Sequence, residues 1–309
     1  MSVDSCLDFL RETARSFELK QQLRATTDVK ELVVIGRRRG YIFNTEELAM
    51  ASSSFTEEND SLRINSQKES TNSTTSQFYH YEFDIEQLQG FGEVAAELAN
   101  LKIKPPTVDL ELFEKSFRED DLQWTSMSPA ASDFRGRYEE VMQFHWQGQL
   151  PPHEFSRRDF HLVNLDQHVE HPLYDQYFQA KTRMIAMLEE CFGSTVQFSG
   201  SMWYPPFGYR LWHTNETQPG WRMYLIDFDD PAGDSYSTSF FRYMNPESKE
   251  IVTLGERPKL ARFFKIEQED DKLFWHCIVN ASAHNRWSFG FAVPEDWMDK
   301  LQAMQDRPQ

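Results

Sequence analysis

Beyond residue 195 the chain runs in short apolar–polar stretches broken by Pro, Gly, Asn and Asp. Seven follow in series: TVQFSGSMWY, GYRLWH, WRMYLIDF, SFFRYMN, ARFFKIE, KLFWHCIV and RWSFGFAV. Runs of that length between turn residues predict strands, and seven in a row predict a sandwich or jelly roll. Before them the apolar period lengthens. DIEQLQGFGEVAAELANL and YDQYFQAKTRMIAMLEECFG read as helices and RRDFHLVNL as a strand, with Pro105-Pro106, Pro129 and Pro151-Pro152 as punctuation. The expected fold is α+β: supporting helices ahead of a jelly-roll core.

The first 51 residues carry a different pattern. Asp4 or Ser5 can cap a helix whose apolar positions are Leu7, Leu10, Ala14 and Phe17. A second set, Leu32, Val33, Ile35 and Gly36, leads to Gly40 as a helix stop, and Thr45 with Glu46, Glu47 and Leu48 opens a further short helix. Ser52 to Gln77 is rich in Ser, Thr, Asn and charge, too polar to offset the entropy of ordering, and reads as a flexible linker. The expected division is a small helical domain over 1–51, a linker over 52–77 and a jelly-roll domain over 78–309.

Charge and cysteine content narrow the partners. A net charge of −17 over 309 residues argues against nucleic acid or an anionic membrane as partner, because phosphate binding needs clustered Lys and Arg. Cys6, Cys191 and Cys277 are isolated and odd in number, which fits a reducing cytoplasm, and no run approaches a membrane span or a signal sequence.

Candidate chemistry collects late in the chain. His213 and Asn215 lie two apart at the end of one strand run, and His276 follows 63 residues on. A non-haem iron site needs three ligands on one face of the metal, two of which one strand and its loop can supply. Arg286 with Ser288 can hold the far carboxylate of a dicarboxylate co-substrate. Asp166, His168 and His171 form a looser cluster that reads as a solvated loop, and His284 falls in a turn, so His276 is the preferred ligand.

These residues carry a resemblance. Tyr204-Pro205-Pro206, His213-x-Asn215, His276 and Arg286-x-Ser288 are similar to the 2-oxoglutarate/Fe(II)-dependent oxygenases, nearest the prolyl-hydroxylase-like branch, over about residues 195–294. The resemblance implies a double-stranded β-helix with Fe(II) and 2-oxoglutarate as cofactors. It implies His213 and His276 as iron ligands, Arg286 and Ser288 on the co-substrate, and Tyr204 and Tyr224 with hydroxyls toward it. Arg210 and Arg222 are candidates to meet substrate, and Trp203, Trp212, Trp221 and Trp275 to wall the site. The family carries an acid where this chain has Asn215. Four readings stay open: the amide oxygen binds, Glu216 swings in, the position is open to water or halide, or iron no longer binds.

Phe9-Leu10, Glu18-Leu19, Leu23, Gly40-Tyr41, Phe43 and Glu46-Glu47-Leu48 resemble the nitrogen-fixation-type leader domains of ribosomally made peptide precursors. That resemblance implies a handle for a peptide or for a peptide-processing partner. The expected function is an Fe(II)/2-oxoglutarate hydroxylase acting on a peptide side chain. A non-catalytic jelly-roll binding protein, a halogenase-like variant with an open iron position and a sugar-isomerase-type cupin are the alternatives.

Overall fold

The computed structural model describes residues 5–6, 9–10, 13, 19, 23, 26, 28–48, 51, 79–146, 158–229 and 239–305. The chain divides into two compact units, Met1–Phe78 and Tyr79–Gln309. The linker expected over 52–77 and the positions Leu7, Ala14 and Phe17 lie outside the described residues.

In the first unit, helix α1 (Val29–Arg38) starts at Asp28, whose carboxylate accepts from the Lys30 amide at 2.8 Å. It stops before Gly40, which takes a φ of 88°. The next short helix opens on a reciprocal box: Asn44 Oδ1 accepts from the Glu47 amide, and Glu47 Oε2 from the Asn44 amide, both at 2.9 Å. Phe43 lies directly over Gly36, where a Cβ would stand 2.4 Å from its ring. Phe43 also packs on Phe9 with ring centres 5.3 Å apart.

The second unit holds β1 (His80–Asp84), α2 (Gly92–Leu101), α3 (Leu110–Lys115), α4 (Glu119–Trp124), α5 (Phe134–Trp146), β2 (Phe160–His161), β3 (Val163–Asn164) and α6 (Tyr174–Phe192). The strands then follow: β4 (Gln197–Tyr204), β5 (Tyr209–His213), β6 (Gly220–Phe228), β7 (Ser239–Met244), β8 (Ile251–Gly255), β9 (Leu260–Ile266), β10 (His276–Asn280) and β11 (Arg286–Ala292), closed by helix α7 (Trp297–Gln305). One antiparallel sheet has the order β1-β9-β6-β11-β4-β3 and the other β2-β5-β10-β7-β8. From β4 to β11 the chain passes back and forth between the sheets, staying in one only for the β7–β8 hairpin. That winding is a double-stranded β-helix, as expected.

Helices seal the outer faces. Trp124, Phe134 and Val141 from the α4–α5 region pack on Leu211, Trp212 and Cys277 of the smaller sheet. Behind the larger sheet, Lys181 of α6 forms a buried ion pair with Asp166, whose carboxylate also accepts from the Tyr177 hydroxyl. Asp166 therefore sits in the core and not in a solvated loop, because a buried carboxylate needs such partners. His168 bonds Thr107 at the surface. Among the described residues no helix is long and apolar enough to cross a membrane.

Candidate metal and co-substrate site

A bulge builds the centre of the site. β5 and β10 pair at His213–His276 and again at Arg210–Ile278, so β5 advances three residues where β10 advances two. The extra residue lets Leu211 and Trp212 both join the outer core and turns His213 back toward His276. The two imidazoles stand with ring centres 4.0 Å apart, each nearly sealed from solvent.

Both rings are fixed in the same tautomer. His213 Nδ1 lies 2.7 Å from the Leu211 carbonyl and His276 Nδ1 2.8 Å from that of Phe274. A carbonyl only accepts, so each Nδ1 carries the proton and each Nε2 keeps its lone pair. Burial, against the Phe274 carbonyl, pushes the His276 pKa down to about 3, so the ring is neutral at ordinary pH.

Asn215 completes the cluster. Its Nδ2 lies 3.4 Å from His276 Nε2, and its Oδ1 lies 3.4 Å from Arg210 Nη2. A half-turn of the amide presents oxygen to the same point. Two imidazoles and an amide are donor types that suit a divalent metal of the borderline class, with a neutral third donor and Arg210 as an adverse neighbouring charge; His276 and Asn215 line the adjoining cavity, and His213 lies behind His276. Glu216 is exposed, and its carboxylate accepts from the Thr214 hydroxyl. Among the described residues no cluster of three His, Cys, Asp or Glu side chains could hold a metal. The set here depends on the amide.

Beside the histidines a cavity of about 210 Å³ opens between the sheets. Tyr204, Tyr224, Arg286 and Ser288 line it, as do Arg210 and Arg222. Burial raises the Tyr204 pKa to about 12, which keeps its phenol a hydrogen-bond donor. The four tryptophans expected around the site do not line this cavity. Trp203 stacks on Trp287, Trp221 meets Trp297 edge-on, and Trp212 and Trp275 belong to the outer core, because the jelly roll needs large side chains where helices cover it. The aromatic lining comes instead from the two tyrosines with Phe241 and Phe264. His284 lies outside the cavity, 3.9 Å from Asp229.

Arg286 holds a partner that the motif did not reveal. Its Nη2 donates to Glu256 Oε1 at 2.8 Å and its Nε to Glu256 Oε2, while Arg262 Nη1 donates to Glu256 Oε1 at 2.9 Å. All three side chains are buried. Among the described residues, Nη1 of Arg286 is left without a hydrogen bond, its guanidinium lying over the Tyr204 ring at 4.6 Å. A usable signal was Arg262, a charge inside the apolar run ARFFKIE, which demands a buried counter-charge.

Comparison with known proteins assigns the first unit directly: residues 1–48 match the Nif11 domain. No curated protein matches the chain. Among solved structures it is similar to a Pseudomonas putida prolyl-4-hydroxylase (11% identity, 51% of this chain and 83% of that one, TM-score 0.28). It is also similar to a 2OG-Fe(II) oxygenase family oxidoreductase from Burkholderia pseudomallei (10% identity, 62% and 93%, TM-score 0.30). A Trichoplax adhaerens prolyl hydroxylase, solved with a hypoxia inducible factor peptide, shares 11% identity over 65% and 99%, at a TM-score of 0.29. Likeness at that level leaves the chemistry of the second unit to its own geometry. The chain thus joins a Nif11 domain, residues 1–48, to a double-stranded β-helix that holds a buried two-histidine cluster.

Proposed function

We propose that the second unit is an Fe(II)- and 2-oxoglutarate-dependent oxygenase that hydroxylates a C–H bond, with a peptide side chain as its substrate. The observation that supports this reading is the His213–His276 pair, in register and with both Nδ1 protons tied to backbone carbonyls. His213, His276 and the Asn215 amide would hold the metal. With 2-oxoglutarate bound, such a metal would supply oxygen activation coupled to oxidative decarboxylation of the co-substrate to succinate and CO₂.

The protein's own groups bind and orient. Arg286 offers Nη1 to the far carboxylate, with the Ser288 hydroxyl two residues along the strand and the Tyr204 phenol as further donors. Tyr224 stacks on Phe264, with ring centres 5.3 Å apart, and walls the same cavity. The Nif11 domain on the chain supports a peptide, or a peptide-processing partner, as what is engaged. The same reading divides the chain into domains 1–51 and 78–309 with a linker over 52–77. It places the protein in the cytoplasm, in keeping with three free cysteines.

Anaerobic titration of the Fe(II)-loaded protein with 2-oxoglutarate tests this. A weak absorption band in the green, followed by succinate on admitting oxygen, is the expected result. No band and no succinate overturn the proposal. A second reading, a non-catalytic binding protein, draws on two observations: an amide where an acid would stand, and Glu256 filling the fork of Arg286. That reading predicts carboxylate binding that is indifferent to metal.

A further inference from the structure

The buried arginines of the cavity fall into two kinds. Arg286 and Arg262 share Glu256, and Arg262 also meets Glu82, so their charge is balanced inside the protein. Arg222 is different. It is 6% exposed, lines the cavity and, among the described residues, hydrogen-bonds only backbone carbonyls: Nη1 to Trp221 at 3.3 Å and Nη2 to Gln218 at 2.5 Å. Among the described residues no carboxylate pairs with it; burial pushes its pKa down, and Tyr224 is the one neighbour opposing that. A guanidinium held in such a place by carbonyl dipoles alone is poised for an anion.

Its position says which anion. Arg222 pairs with Ala292 and Arg286 with Phe228, six residues further along β6 (228 − 222). Their Cα atoms are thus separated by about 20 Å of strand. Arg222 is tied instead to the metal end: Gln218, which accepts from it, donates its own amide to the Asn215 carbonyl at 2.9 Å. A dicarboxylate reaching toward Arg286 leaves Arg222 uncompensated, on the side where the molecule to be oxidised must enter.

We infer that Arg222 receives a carboxylate of the oxidised substrate, which makes that substrate an acid, such as a peptide with an acidic side chain. The inference rests on the oxygenase reading for the word substrate, but its anion preference is measurable without it.

The test uses the full-length chain and two probes of one shape, N-acetyl-glutamate methylamide and the neutral N-acetyl-glutamine methylamide. Each is titrated by tryptophan fluorescence, with and without Zn(II) and 2-oxoglutarate. The separate 2-oxoglutarate isotherm reads the oxygenase assignment on its own. The acid is expected to bind at least about tenfold tighter than the amide, the scale of one charge-assisted hydrogen bond. Arg222→Gln brings the two probes to parity, and Arg222→Lys keeps part of the preference. Equal binding of the probes, binding of neither, or a preference that survives Arg222→Gln overturns the inference. So does a loss of 2-oxoglutarate affinity in Arg222→Gln without any acid–amide difference, since Arg222 then serves the co-substrate. If Arg222→Gln does not fold, the wild-type comparison and Arg222→Lys still decide.

Discussion

His213 meets His276 because β5 carries one residue more than β10 across their shared ladder. Without the bulge, strand alternation would set His213 on the outer face with Tyr209 and Leu211. The bulge absorbs Leu211 and Trp212 into the helix-covered core and leaves the imidazole facing inward. The pair is therefore a product of register, and its neighbours carry the following consequences.

Asn215→Asp places a carboxylate 3.4 Å from His276 Nε2, where the amide now stands. An anion offsets metal charge that a neutral amide cannot. Zn(II) or Mn(II) affinity is expected to rise by about tenfold or more, which is about 1.4 kcal/mol. Competition titration with a chelating dye measures it. An unchanged affinity places the amide off the metal.

Glu256 is buried between two arginines, so removing its charge strands Arg286 and leaves Arg262 with Glu82 as its remaining counter-charge. Glu256→Gln is expected to destabilise the second unit by about 3–5 kcal/mol, read from urea unfolding. Burial alone would raise the Glu256 pKa, but Arg286 and Arg262 outweigh it and hold the group at about 2, below its ordinary 4.5. A carboxyl with a depressed folded pKa stabilises above its unfolded value and loses that contribution as pH falls toward the folded one. Wild-type stability should thus decline between pH 4.5 and about 2, and Glu256→Gln should be flatter across that window.

His161 gives a separate window. It stacks on Phe113 with ring centres 3.9 Å apart, and burial lowers its pKa from 6.5 to about 4. Below pH 6.5 the unfolded chain takes up a proton that the folded one refuses, so stability falls as pH drops from 6.5 toward 4. His161→Phe removes that component. Unfolding curves at pH 7.5 and 5 should differ less for the variant than for wild type.

Gly290 makes room for a candidate ligand residue. A Cβ there would stand 2.7 Å from Ser199 Oγ and 2.9 Å from Tyr224 Cε1. Gly290→Ala must push Tyr224 into the cavity, at a cost of about 1–3 kcal/mol in stability. Weaker 2-oxoglutarate binding should accompany the drop in melting temperature. Unaltered binding would remove Tyr224 from the co-substrate site.

Much of this was legible in the chain, and the gaps have physical reasons. The seven apolar runs became strands because their alternate residues fill the space between sheets and helices. IVTLG carries little strand signal because β8 is an edge strand with no fully buried residue. RRDFHLVNL read as one strand, yet Leu162 divides it, and its halves join opposite sheets. DIEQLQGFGEVAAELANL read as one helix, but Gly90, at a φ of 81°, separates a single 3₁₀ turn from α2. His213, Asn215, His276 and Arg286 stood out by their order and spacing together with the resemblance, and the fold brings the first three into one cluster. Glu256 was not, because among 49 acidic residues one glutamate after a strand looks like any surface turn. The bulge at His213 was invisible for a similar reason: register belongs to the pairing of distant segments.

On the proposed function, His213 and His276 together hold one metal ion. Calorimetric titration of the full chain with Mn(II), with and without 2-oxoglutarate, measures it against His276→Gln. One equivalent per chain is expected, tightened by 2-oxoglutarate and weakened at least about a hundredfold, or about 2.7 kcal/mol, by the substitution. Binding that His276→Gln leaves untouched, or none in the wild type, would contradict it.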